Sequence, residues 1–143
     1  MLEIARLGGR DAPVSLGAVA ACSQLSRGYL EQLALALRNA GLLRGFCGKR
    51  GGYRLTRGAG EITVGQIIEA AMGPVNIVDC VGDPHSCRRS GSCEFRPVYV
   101  VMNRKISELM QSFTLAQLLE PEWVSSRKED ALALAGGTAG SPV

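Results

Sequence analysis

The fold of this chain is decided by residues 26–57, which read SRGYLEQLALALRNAGLLRGFCGKRGGYRLTR. Ser26 is a typical helix N-cap, and apolar side chains then recur every three or four residues, at Leu30, Leu33, Ala34 and Leu37. Gly41 is a helix stop signal. Two short strand-like runs then flank the glycine-rich basic segment 47–52. This stretch therefore predicts a helix over 27–39 followed by a small β-hairpin.

A second predicted helix lies just before this one. Ser15 is a suitable N-cap for residues 16–22, in which apolar positions again step by three and four. Residues 23–25 leave room only for a tight turn. The order helix, tight turn, helix and basic hairpin predicts a winged helix-turn-helix, within a fold that is mainly α with a small β-hairpin wing.

This arrangement also predicts which side chains meet a ligand. In a helix-turn-helix the first residues of the second helix contact base edges in the major groove, and a hairpin tip reaches the backbone or the minor groove. The candidate DNA-binding residues are Ser26, Arg27, Tyr29, Gln32, Lys49 and Arg50. The predicted partner is a double-stranded DNA operator. Ordinary solvated surface residues on a helical bundle are the alternative interpretation.

The charge distribution agrees with a polyanion partner. The chain has 143 residues and a net charge of +3, but residues 10–57 carry eight Lys and Arg against two acidic residues, a net of +6. Residues 58–143 carry seven Lys and Arg against ten acidic residues, a net of −3. Such an asymmetry is typical of a basic binding module with an appended regulatory or oligomerisation part.

Several classes of protein are not expected. No apolar run approaches 18 residues and no signal-peptide pattern opens the chain, so we expect no membrane association and a cytoplasmic location. No phosphate-binding loop, paired carboxylates, Ser-His-Asp set or C-x-x-C is visible, and a small thiol oxidoreductase is therefore a weak alternative. We expect no enzyme.

The remaining sequence suggests four parts. Residues 1–73 form the winged helix-turn-helix domain, closed by a helix that Thr63 caps and Gly73 ends. Residues 74–96 form a cysteine-bearing sensor loop. Residues 97–124 contain a long helix and a short one, and we expect residues 125–143 to be a disordered tail because they become charged and then rich in Ala, Gly and Ser.

The long helix is the predicted dimerisation element. Pro97 suits its first turn. Its apolar side chains step by three and four along one face, at Val98, Val101, Met102, Ile106, Leu109, Met110 and Phe113. A stripe of this length needs a larger partner than the head, so we predict a homodimer, in which two recognition helices lie about one DNA turn (~34 Å) apart. Packing within one chain is the alternative.

Residues 79–95 read DCVGDPHSCRRSGSCEF and hold three cysteines spaced C-x6-C-x5-C. Cys80, Cys87 and Cys93 are the candidate metal ligands, since thiolates hold iron–sulfur clusters and the nearby Arg88 and Arg89 favour anions. Zinc fits less well because its structural sites use more closely spaced cysteine pairs. Metal-free thiol oxidation and three unrelated cysteines are the other interpretations. Cys22 is expected to be a small buried side chain and Cys47 an exposed one.

Taken together, these residues resemble the Rrf-two family of winged-helix transcriptional regulators, which includes the IscR, NsrR and CymR types. The resemblance is carried by VSLGAVA, LSRGYLEQLALALRNAGLL, GKRGGYRLTR, EITVGQIIEA, the three-cysteine loop and SFTLAQLL, and covers about residues 2–124. It implies a dimeric DNA-binding regulator, often a repressor. In cluster-binding members the loop cysteines hold a 2Fe–2S or 4Fe–4S cluster, which here assigns Cys80, Cys87 and Cys93.

Two departures from that pattern concern the loop and the start of the chain. IscR-type members have a histidine ligand three residues past the third cysteine, where this chain has Arg96. The fourth ligand is left open between Asp83, His85, Glu94, an upstream residue and a small molecule. Members of this family usually begin about a dozen residues earlier, so the helix that starts here at Leu2 corresponds to the second half of their first helix. We therefore expect Met1 to be an internal methionine. The alternative function is a cluster-free regulator that senses thiol oxidation or a partner protein.

Overall fold

The computed structural model describes residues 1–136, which form α-helices, three short 3-10 turns and one two-stranded sheet. The helices are α1 (Leu2–Leu7), α2 (Leu16–Ser23), α3 (Arg27–Asn39), α4 (Val64–Met72), α5 (Asp79–Gly82), α6 (Arg96–Ser112) and α7 (Pro121–Gly136). The strands are β1 (Leu43–Phe46) and β2 (Gly52–Leu55), and the 3-10 turns are Ala59–Glu61, Pro84–Ser86 and Gln117–Leu119. The mainly α fold with a hairpin wing is confirmed.

The helix-turn-helix forms where its capping residues predict. Ser15 Oγ accepts from the Ala18 amide at 3.2 Å and begins α2, and Ser26 Oγ accepts from the Tyr29 amide at 3.3 Å and begins α3. Between them Gln24 takes a left-handed conformation with φ of 57°, which turns the chain within three residues. The two caps therefore fix both ends of the turn that orients α3.

The hairpin is held to the body of the head by backbone hydrogen bonds to Val14. Val14 and Tyr53 exchange both bonds at 2.9 Å. A side chain at Gly52 would overlap the backbone of Val14, and its φ is +154°. The glycine before Tyr53 is therefore required by the close approach of two backbone segments.

One apolar core lies between the helices and the inner face of the hairpin. Its buried members are Ile4, Val14, Val19, Leu30, Leu37, Leu42, Leu43, Leu55, Ile62 and Leu115. Leu115 lies beyond α6, so the end of the long helix belongs to the same core as the head. Thr63 and Thr114 form an antiparallel bridge in which the Val64 amide donates to Phe113 and the Leu115 amide donates to Ile62, both at 2.8 Å.

The expectation of disorder from residue 125 is wrong as far as Gly136, because α7 continues through this segment. Trp123 contacts Phe113 edge-on at 5.6 Å between ring centroids, and Arg127 lies 5.6 Å from the Trp123 ring and pairs with Asp130. The first part of the predicted tail is thus a helix anchored by aromatic contacts. Residues 137–143 lie outside the described residues.

We expect Gly52→Ala to lower the free energy of unfolding by more than about 1 kcal/mol, because a Cβ at this position forces the hairpin away from Val14. Urea denaturation followed by circular dichroism measures this decrease. Gly60→Ala is the matched control, since nothing lies within 4 Å of its added Cβ. Equal midpoints for the two variants would contradict this account of the hairpin.

Candidate DNA interface and cysteine loop

The predicted base-reading residues share the exposed N-terminal end of α3. Tyr29 is 52% exposed, and Ser26, Arg27 and Gln32 are also at the surface. Leu30, Ala34 and Leu37, on the other side of the helix, are buried. The Arg27 guanidinium donates to the Glu31 carboxylate at 3.0 Å, in a pair so exposed that it contributes little stability and can exchange for another acceptor. The helix therefore presents these side chains to a ligand while its apolar face is fixed.

The two predicted wing residues lie in the turn of the hairpin, where they line a hollow with Pro13, Val14 and Ala18 rather than with α3. Lys49 and Arg50 are exposed in the turn between the strands. A groove of about 480 Å³ separates α3 from the hairpin. Its lining residues include Ser15, Arg27, Glu31, Arg38, Phe46 and Cys47. The structure thus brings one side of α3, from Arg27 to Arg38, and the hairpin together along a groove that Lys49 and Arg50 do not line.

Three further arginines near this groove were not singled out from the sequence. Arg38 lines the groove, and Arg44 and Arg54 face each other across the two strands. The signal that could have found Arg44 and Arg54 is register: Leu43 and Leu55 are apolar neighbours of these arginines, and pairing them in the core places the arginines opposite each other.

The three loop cysteines are placed on separate short elements. Cys80 lies in α5 and is half-buried, Cys87 follows the turn Pro84–Ser86 and is exposed, and Cys93 is half-buried ahead of α6. All three are free thiols. Within residues 1–136 no set of three His, Cys, Asp or Glu side chains is placed to hold a metal ion. The donors thus have the chemistry for an iron–sulfur cluster, but the loop as folded does not bring them together.

Local hydrogen bonds account for this separation. Asp83 Oδ1 accepts from the His85 amide at 2.9 Å, and its backbone oxygen accepts from Ser86 Oγ at 2.8 Å. Two further turns are closed by backbone hydrogen bonds, in which the Ser90 amide donates to the Cys87 carbonyl and the Ser92 amide donates to the Arg89 carbonyl. Asp83, one of the open fourth-ligand candidates, is therefore used as a cap of the loop.

Arg96, which stands where IscR-type members have a histidine, ties the loop to the long helix. Its Nε donates to the backbone oxygen of Cys80 at 3.2 Å, and its side chain is half-buried. Ile77 adds a second tie, since its amide donates to Asn103 Oδ1 at 2.9 Å. α5 and the residues just before it are therefore hydrogen-bonded to α6 at two positions.

The two cysteines outside the loop differ in how well they were predicted. Cys47 is exposed in the wing, as expected, and lines the groove beside α3. Cys22 is exposed as well, so the expectation of a buried side chain is wrong. Val19 takes the core position of α2 instead. The short helix has little amphipathic contrast, and its apolar residues therefore gave no safe indication of which side is inside.

The apolar stripe of α6 faces away from the head. Phe95, Val98, Val101, Met102, Ile106 and Leu109 are all exposed, with Val101 at 60% and Leu109 at 57%. The side chains of α6 that are half-buried against the rest of the chain include Tyr99, Asn103, Ser107 and Met110. Met110 and Phe113, which the sequence assigned to the stripe, are half-buried in the chain itself.

The charged side of α6 is separate from this stripe. Glu108 is bonded by both Arg104 and Lys105 at 2.8 Å. The hydrogen bond between Lys105 and Glu108 raises the pKa of Lys105. The same bond, together with the one from Arg104, lowers the pKa of Glu108. These groups stay ionised at neutral pH, and this side of the helix therefore remains solvated.

Comparison with known proteins places this geometry in a family. The Rrf2 family, described as iron-dependent transcriptional regulators, matches residues 1–121. The chain belongs to the Rrf2 family. It is a transcriptional regulator, and not an enzyme.

Two relatives and two structures show how far the similarity extends. The HTH-type transcriptional regulator CymR of Bacillus subtilis is 35% identical over 82% of this chain and 80% of its own length. The HTH-type transcriptional regulator IscR of Photobacterium profundum is 32% identical over 93% of this chain and 78% of its own length. The structure of CymR, the global cysteine regulator of B. subtilis, covers 82% of this chain and 85% of its own with a TM-score of 0.64 at 34% identity. The structure of T. potens IscR covers 76% of this chain and 69% of its own, with a TM-score of 0.56 at 35% identity.

The structure describes no helix that is both long and apolar enough to cross a bilayer within residues 1–136.

Proposed function

We propose that this Rrf2-family protein is a dimeric transcriptional repressor whose operator affinity is set by the chemistry of its three-cysteine loop. The observation that carries the proposal is the groove shared by one exposed side of α3 and the hairpin. A ligand seated there meets Arg27 and Arg38, while the buried face of α3 keeps its orientation. Such a regulator acts on the chromosome, and we therefore place it in the cytoplasm.

In this proposal the side chains divide the work of recognition. Arg27, Tyr29 and Gln32 at the start of α3 read base edges, and Ser26 reaches a phosphate beside its capping role. Lys49 and Arg50 contact the backbone or the minor groove. Arg27 leaves Glu31 on binding, because a guanine edge or a phosphate accepts two hydrogen bonds from a guanidinium, whereas Glu31 accepts one.

The dimer is supported by the exposed stripe of α6. The stripe is long, and the end of its helix is fixed in the core. A second copy would cover it with the same stripe, since a two-fold axis pairs identical surfaces. Loop 74–96 is tied to α6 through Arg96 and Asn103, so a change in the loop shifts the helix that sets the separation of the two heads.

Two loop chemistries are supported by different observations. A 2Fe–2S or 4Fe–4S cluster on Cys80, Cys87 and Cys93 is favoured by the iron-dependent family description and by the IscR relatives. It requires residues 79–95 to refold, because the thiols are separated in the described fold. Oxidation of the loop thiols without metal is favoured by their free and partly exposed state and by the CymR relatives.

We expect Arg27→Gln to weaken operator binding by about 1–3 kcal/mol and to relax base preference, because it removes a base-edge contact. Lys49→Gln with Arg50→Gln should weaken binding to all sequences alike and reduce its salt dependence. Fluorescence anisotropy with duplexes at several salt concentrations measures both effects. Arg127→Gln on α7 is the control. A wild-type affinity indifferent to salt would contradict the interface.

We expect Val101→Glu and Leu109→Glu to convert the protein to a monomer, because a carboxylate in a paired apolar stripe is stripped of its hydration and finds no partner there. Sedimentation equilibrium reports the mass. Lys105→Gln makes the same change of charge on the solvated side of α6 and should leave the dimer intact. A wild-type protein that sediments as a monomer would refute the dimer.

We expect protein purified without oxygen to contain iron and acid-labile sulfide in equal amounts, and Cys87→Ala to lack both. Metal analysis and the visible spectrum measure this outcome, with Cys22→Ala as the control because that thiol lies outside the loop. Colourless wild-type protein that still binds DNA would reject the cluster. Loss of DNA binding after mild peroxide treatment, prevented by Cys87→Ala, would then identify thiol oxidation.

A further inference from the structure

One face of the wing carries a pair of arginines that the proposed contacts do not use. Arg44 and Phe46 lie two residues apart on β1, and Arg54 lies directly opposite Arg44 on β2, so the three side chains share one side of the hairpin. Leu43 and Leu55, on the other side, are buried in the core. We call this outward set of Arg44, Phe46 and Arg54 the arginine face.

Both guanidinium groups gather on one aromatic ring. The Cζ atom of Arg54 lies 4.0 Å from the centroid of Phe46, and that of Arg44 lies 5.6 Å from it. The two charges can therefore be no farther apart than the sum of these distances. Contact with the ring also restricts the long side chains, and this lowers the entropy that each would lose on binding an anion.

This arrangement leaves two positive charges uncompensated. Like charges directly opposite each other destabilise a strand pair. Among residues 1–136, no carboxylate lies within ion-pair distance of Arg44 or Arg54. Arg54 donates to the backbone oxygen of Asp11 at 3.3 Å, which is a neutral acceptor. An anion placed between the guanidiniums would remove the repulsion and would accept from both.

We propose that the arginine face binds phosphates of the operator backbone outside the segment read by α3. The assignment rests on the proposed function and extends it to a contact surface of its own. Phe46 lines the groove beside Arg27 and Glu31, so the face is continuous with the groove in which α3 meets its ligand. Guanidinium forks match phosphate oxygens, which arginine binds in a two-pronged manner.

The double variant Arg44→Gln/Arg54→Gln tests the assignment. Its affinity is measured by fluorescence anisotropy on a duplex of about 40 base pairs, long enough for two half-sites. One probe has random sequence and a second is selected from a random pool by the wild-type protein. We expect binding to both probes to weaken by the same factor, about ten-fold at moderate salt, with a salt slope shallower by roughly one for each phosphate that the variant no longer binds.

Two further variants separate phosphate binding from a purely structural role. Arg127→Gln/Lys128→Gln removes the same two charges from α7 and should leave affinity and slope unchanged. Arg44→Lys/Arg54→Lys keeps the charges on the wing and should retain most of the slope. If the glutamine pair does not fold, as judged by circular dichroism, Arg44→Gln alone decides the question, because that side chain is exposed and farther from the ring.

A folded glutamine pair with the wild-type salt slope would overturn the assignment, even if its unfolding midpoint were lower. That result would make the cluster a brace of the hairpin only. If wild-type protein binds neither probe, the proposed function fails and the assignment fails with it. A decrease confined to the selected probe would also overturn it, because phosphate contacts do not depend on sequence.

Discussion

The pairing of residues 62–64 with residues 113–115 is the interaction on which the arrangement of this protein depends. It closes two 2.8 Å backbone hydrogen bonds and removes Ile62 and Leu115 from solvent completely. Burial of two such side chains is worth about 1.5–3 kcal/mol each. Because Ile62 belongs to the head and Leu115 follows the long helix, the pairing makes one body of both. Beside this pairing, Gly65 leaves room for the side-chain amide of Gln111, which an added Cβ would overlap.

Through that connection the cysteine loop is linked to the head by way of α6. The loop is joined to α6 by hydrogen bonds from Arg96 and to Asn103, and α6 is joined to the head through the shared core. The loop itself contributes no buried side chain to that core. It can therefore rearrange at little cost to the head, whereas the helix it pulls on is fixed at its far end. In the proposed function, a chemical event at sulfur would in this way be converted into a movement of α6.

Much of the DNA-binding head could be predicted because its signals are local. Caps at Ser15 and Ser26, the stop at Gly41 and the glycines of the wing each act through the few residues beside them. The separation of Cys80, Cys87 and Cys93 could not be predicted from their spacing, since it depends on the turns closed by Asp83 and on the tie made by Arg96. The exposure of Cys22 was also missed, because a helix with little amphipathic contrast does not indicate its inner side. The helix over residues 125–136 was missed as well, because it continues from Trp123, whose contact with Phe113 cannot be read from the composition of the tail.

The sequence by itself determined the order of the elements, the ends of α2, α3 and α4 and the presence of a thiol-bearing loop, because capping, periodicity and residue type are properties of short segments. Only the tertiary structure decided which faces meet. It turned the stripe of α6 outward, set Arg44 against Arg54 on one ring and placed the wing beside α3 along a common groove. These outcomes follow from strand register and from long-range packing, which no local stretch of sequence specifies.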